Sequence, residues 1–176
     1  NTGIQMTSGS GDVLLSNTKG TITVEGNGIR TNGGVTIHSV GTIISKNNSI
    51  NNSSGTGKIT LKSSQEGITT LDGGVISSNE ISYLAAGNIL IKGTGAKNSD
   101  GSGDIIISTT NGTIITTNGG VNSKGKVSVS GPGNITISSN GINNSAGTDA
   151  VIVTSTNGEI EITNGGIISK GSIGVN

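Results

Sequence analysis

The sequence predicts an all-β fold: a right-handed parallel β-helix, or β-solenoid, built of triangular coils of about 23 residues. Three observations predict it. The chain repeats itself at an unbroken interval of 46 residues. Its apolar residues are mostly Ile and Val, which favour strands, grouped in very short runs. Gly and Asn fall between those runs, where a chain needs corners.

The interval is carried by Val13, Ile59, Ile105 and Val151, by Gly28, Gly74, Gly120 and Gly166, by Ile29, Val75, Val121 and Ile167, and by Val35, Ile81, Val127 and Ile173. The pairs Asn52-Ser53, Asn98-Ser99 and Asn144-Ser145 keep it too. The repeats lie near 11–56, 57–102, 103–148 and, partially, 149–176, so residues 1–176 form a single solenoid segment. Within the first copy the strands centre on Val13/Leu15, Ile22/Val24, Ile29, Val35/Ile37, Ile43 and Ile50. "GDVLL", "GTITV" and "NGIRT" are echoed by "GGVTI", "GTIIS" and "NSINN", so each unit is a double coil, giving about eight coils in all.

One such coil cannot bury anything alone, but a stack can, each strand pairing with its equivalent above and below. Like side chains then stack in columns, and each buried aliphatic contributes about 1.5–3 kcal/mol. Ile105 and Ile107 are expected to point inward, and Ser108 and Thr109 to tolerate a charge. A β-sandwich of Asn-Gly hairpins is the competing fold, but hairpins do not require an uninterrupted period. Neither end shows a cap or a shift in composition, and end-to-end stacking would leave the strand position of Ile43 vacant, so the segment reads as part of a longer shaft.

Composition narrows the function. Aromatics are 1%, charged residues 11%, and the formal net charge is +0, so no basic patch is offered to nucleic acid or an anionic membrane. No apolar run approaches a membrane span. Cys is absent, which excludes disulfides, thiolate metal sites and thiol catalysis.

The glycine-punctuated runs "GNITISSNGI", "GDIIISTTNGTI" and "GGVTIHSVGTIIS" resemble the repeats of filamentous haemagglutinin-type exoproteins, large adhesins exported by two-partner secretion in Gram-negative bacteria. The resemblance covers essentially all 176 residues. It implies a β-helical shaft, an extracellular or cell-surface location, and adhesive or contact-dependent roles. A host or neighbouring-cell receptor or glycan would be held by the parent protein, beyond this segment. Autotransporter passenger domains share the shaft architecture.

Candidate chemistry is sparse. His38 is the single histidine, and its equivalents Leu84, Ser130 and Asn176 repeat nothing, so it is read as a solvated turn residue. Tyr83 stands in the column of Ile37, Val129 and Val175 and is read as core. "GTGAKNSDGSGD" superficially resembles a calcium-binding repeat, but Asp100 is matched by Ser54 and Ala146, and Asp104 by Asp12, Lys58 and Ala150. Asp12 and Asp104 stand two coils either side of Lys58, and Glu159 and Glu161 have no partner carboxylate, so no acid/base cluster forms. Asn-x-Ser/Thr sequons at Asn47, Asn51, Asn52, Asn111, Asn134 and Asn143 follow from composition. No enzyme, cofactor or metal site is expected. A carbohydrate-active β-helix with its catalytic residues elsewhere is the alternative of a different class.

Two outward columns are expected. One reads Thr23, Ile44, Thr69, Leu90, Ile115, Thr136 and Glu161; the other reads Leu14, Thr36, Thr60, Ser82, Ile106, Ser128, Ile152 and Gly174. Two aliphatics, Leu90 and Ile115, fall on adjacent coils only in the first, with Ile44 two coils from Leu90. Ile44, Leu90 and Ile115 are therefore the candidate lateral contact, for a second rod or a covering segment.

Overall fold

The computed structural model describes residues 3–6, 10–98 and 101–176. Among them are 23 strands and no helix. They form three parallel sheets of eight, eight and seven strands, wound as a β-solenoid of about seven turns rather than the eight that sequence counting gave. The second repeat shows the winding order. Ile59–Ser63 lies in sheet 1, Ile68–Leu71 in sheet 2 and Val75–Ser77 in sheet 3; Ile81–Ala85, Ile89–Lys92 and Ala96–Asn98 then take the same three sheets one turn on. At the usual spacing of parallel strands the stack is on the order of 35 Å long.

The register explains why the repeat is a doublet. In sheet 1, Val13 pairs with Val35 and Val35 with Ile59, steps of 22 and 24 residues that alternate along the stack. Sheet 2 alternates steps of 21 and 25, as Ile22, Ile43 and Ile68 show. Sheet 3 alternates 25 and 21, as Ile4, Ile29 and Ile50 show. Through the middle coils each sheet keeps one strand length, five, four and three residues in sheets 1, 2 and 3; the corners differ. Every second coil carries a wide corner between sheets 3 and 1, as between Asn52 and Ile59, where the next coil runs directly from Ser77 to Ile81.

Inside, the columns are the expected ones. Ile22, Ile43, Ile68, Ile89, Ile114 and Ile135 stack in sheet 2, and from Ile43 onward they are fully buried. Ile105 and Ile107 are both buried completely, as expected. Tyr83 is buried between Leu61 and Ile107 in the column of Ile37 and Val129, again as expected.

Two placements differ. His38 lies within the strand Val35–Ser39, beside Ser16 and Lys62 on the outer side, rather than in a turn. Thr109 is buried, as are Ser39, Ser63 and Ala85 at the equivalent inward positions that close their sheet 1 strands. Its hydroxyl donates to the Gly87 carbonyl of the coil before, at 2.6 Å, and accepts the Gly112 amide at 3.0 Å. Ser63 and Ser155, one repeat away on either side, do the same: each donates to a glycine carbonyl (Gly41, Gly133) and accepts an amide (Glu66, Gly158). A carboxylate at Thr109 would lose the donor and bury a charge.

Asn-Gly serves two purposes in the sequence "TTNGTIITTNGG". At the corner from sheet 1 to sheet 2, Gly112 is needed for close approach, since a Cβ there would lie 2.3 Å from the Gly87 carbonyl carbon. At the corner from sheet 2 to sheet 3, consecutive residues are left-handed: Asn118 has φ 54° and Gly119 φ 68°, matched by Asp72/Gly73, Asn164/Gly165, Ser139/Asn140 and Asn47/Asn48. The left-handed pair that closes an antiparallel hairpin elsewhere here turns a parallel coil.

Candidate lateral contact surface

Sheet 2 positions the candidate residues. Its strands present one face to the core and the other to solvent, so alternate residues face outward. The outward register runs Thr23, Ile44, Thr69, Leu90, Ile115, Thr136 and Glu161, each paired with the next. Leu90 and Ile115 are direct neighbours, and Ile44 is separated from Leu90 by Thr69. Ile115 is 39% exposed, while Ile44 and Leu90 are half-buried by their flanking columns.

A second outward column on the same sheet contains Glu25, Lys46, Leu71, Lys92 and Thr117. Leu71, half-buried, sits between Lys46 and Lys92 and extends the apolar stripe sideways. Lys46 is engaged with Glu25 across one rung, Nζ to Oε1 2.8 Å. Both side chains are substantially exposed, so the pair adds little stability. On the other outward column, Ile106 and Ile152 are parted by Ser128, as the sequence indicated.

The remaining polar groups hold one coil to the next. Asp12 Oδ1 accepts the Gly34 amide at 2.6 Å, and Asp104 Oδ1 accepts that of Lys126 at 3.1 Å. Lys58 pairs instead with Glu80 at 3.0 Å. Asp12, Lys58 and Asp104 thus belong to separate contacts. Glu159 precedes its strand rather than lying within it, and its amide donates to Asn134 Oδ1 at 3.0 Å. Asp100 lies outside the described residues. Among those described, no group of three metal-ligating side chains comes together.

One structural device escaped the sequence reading. The inward column of sheet 3 alternates Asn and Ser: Asn52, Ser77, Asn98, Ser123, Asn144 and Ser169. Each Asn closes a wide corner: Asn52 Nδ2 donates to the Gly57 carbonyl at 2.7 Å, Asn144 Nδ2 to that of Asp149 at 2.9 Å, and Asn98 Nδ2 to that of Gly103. Each Ser serves a narrow corner, as where Ser77 Oγ accepts the Asn79 amide at 3.0 Å. The signal was present in the recurring pairs that begin at Asn52, Asn98 and Asn144, which register alone did not interpret.

No protein family, no curated protein and no solved structure matches the chain.

Proposed function

We propose that this chain is a segment of the structural shaft of a secreted or surface-displayed bacterial adhesin or filament, whose role is to extend a binding tip. The observation that supports this reading most is the invariant two-coil register. The hydroxyl, amide and carboxylate groups described above hold one coil to the next, and the interior is a continuous stack of aliphatic columns. The likeness to exoprotein repeats supports the location. The shaft acts by length: each double coil adds about 10 Å of reach, and recognition of a receptor or glycan belongs to other parts of the parent protein.

Binding measurements with the purified 176-residue chain test this. The chain is expected to show no saturable binding to host cells or a glycan array. Removal of residues 57–102, one complete repeat, is expected to leave a cooperatively folding rod that is about 10 Å shorter by small-angle scattering. Saturable binding by the chain alone would overturn the shaft reading in favour of a binding module.

A second copy of the same rod is the occupant proposed for the stripe of Ile44, Leu90 and Ile115. Between Thr23 and Thr136 this column itself carries no charge, and of the two lysines on the flanking column Lys46 is paired with Glu25. The apolar area is small, so the contact is weak and concentration-dependent. Joint replacement Leu90→Thr and Ile115→Thr is expected to lower self-association in sedimentation velocity at high concentration, with thermal stability little changed. Unaltered sedimentation would remove the stripe as a contact.

A further inference from the structure

The outward face of sheet 2 carries three columns, and their contents decide how two copies of this rod fit together. The middle column is the stripe, with Ile44, Leu90 and Ile115 set among threonines. One flank holds Glu25, Lys46, Leu71, Lys92, Thr117 and Ser138. The other flank, where the chain enters each strand, holds Thr42, Gly67, Asn88, Thr113 and Asn134. Their carbonyls accept the amides of Ile22, Ile43, Ile68, Ile89 and Ile114, which keeps them stacked coil on coil. This second flank is uncharged.

The stripe has a direction. Ile44 and Leu90 are two coils apart, whereas Leu90 and Ile115 are one coil apart. A two-fold axis perpendicular to the rods reverses this column, and no setting of the reversed stripe lays more than two of its aliphatics on aliphatics. It also lays the flank of Lys46 and Lys92 on the same flank of the second copy. A two-fold axis along the rods instead keeps every coil level with its counterpart and exchanges the flanks. Ile44, Leu90 and Ile115 then each meet themselves. Lys46 and Lys92 fall opposite Thr42 and Asn88 rather than opposite lysine. Leu71, the aliphatic of its flank, falls opposite Gly67, which has no side chain, and the axis makes that fit twice.

We propose that two copies of this rod associate side by side in parallel, level coil for coil, about a two-fold axis that runs along the stripe. This pairing rests on the stripe being a rod–rod contact, as proposed above, and adds its direction. Parallel shafts have their bases at one end and their tips at the other, so the partner is a copy displayed on the same cell surface. An antiparallel pair joins shafts from two facing surfaces instead. Anchoring side by side raises the effective concentration of one shaft around the next, which offsets the small apolar area of the contact.

Cys is absent from the chain, so a single-cysteine variant reports one position. Thr69→Cys and Thr136→Cys, at half-exposed positions of the stripe, stand three coils apart, about 14 Å along the rod. Each variant is treated at high concentration with a bismaleimide spanning about 10 Å, the distance between packed sheets, and dimer is read on a denaturing gel. Both variants are expected to crosslink to themselves several-fold above Thr36→Cys, an exposed position on sheet 1. An antiparallel pair cannot give this result, because its axis lies near at most one of the two positions. Self-crosslinking at only one position, or crosslinking only when the two variants are mixed, overturns the parallel pairing and leaves the stripe as a contact. No dimer above the Thr36→Cys level in any combination overturns both. Adding Leu90→Thr and Ile115→Thr to either stripe variant is expected to lower its dimer to that level. Dimer that persists places the contact outside the stripe and overturns the proposal.

Discussion

Ile105→Asp is expected to cost at least about 4 kcal/mol and to abolish a cooperative melting transition in the middle coils, measured by circular dichroism during heating. Ile105 is fully buried between Ile81 and Val127. A carboxylate there has no partner and no route to water, because every neighbour in its column is aliphatic. The damage extends beyond one coil, since a solenoid coil is stable only through the coils above and below it. Ser108→Asp, on the outward side of the same strand, is expected to change stability by less than about 0.5 kcal/mol. Thr109→Asp falls between them at about 2–3 kcal/mol, because it removes a hydroxyl that both donates and accepts and places a charge in its pocket. Equal effects at Ile105 and Ser108 would contradict the inward and outward assignment.

Tyr83→Ala is expected to cost about 3–5 kcal/mol, the usual range for emptying a large aromatic site in a core. Tyr83→Phe is expected to cost only about 1 kcal/mol, through the hydrogen bond from the hydroxyl to the Gly95 carbonyl, 3.5 Å away. The same residue gives the protein a distinct alkaline signature. Burial drives the Tyr83 phenol well above its usual value of 10.0, with only partial opposition from the neighbouring Thr70 hydroxyl. The folded state therefore holds this proton after the unfolded chain has released it. The stability tied to the proton is complete below pH 10 and declines as pH rises beyond it, by about 1.4 kcal/mol per unit until the folded value is reached. Because Tyr83 is the chain's one tyrosine, absorbance at 295 nm reports it alone. Phenolate is expected to appear together with unfolding and not before. The alkaline loss of stability is expected to be smaller in Tyr83→Phe; identical pH profiles for the two proteins would show that the phenol is not protected.

Much of the architecture is determined by sequence alone. Side chains alternate across a strand and coils stack in register, so a fixed repeat of Val and Ile positions is enough to define the columns. The core column through Ile105, the placement of Tyr83 and the adjacency of Leu90 and Ile115 all follow from counting. What counting could not reveal is decided at the corners, where function of a residue depends on atoms one coil away. Thr109 looks like a surface residue because its hydroxyl suits water; its burial follows from the Gly87 carbonyl and the Gly112 amide, which lie 22 residues before it and three after. Asn52, Asn98 and Asn144 look like ordinary loop residues, yet they face inward and close every second corner, which is why the repeat spans two coils rather than one. Short-range pattern sets which way each side chain points; only the stacked structure sets which hydrogen-bond partner it meets, because that partner is supplied by the neighbouring coil.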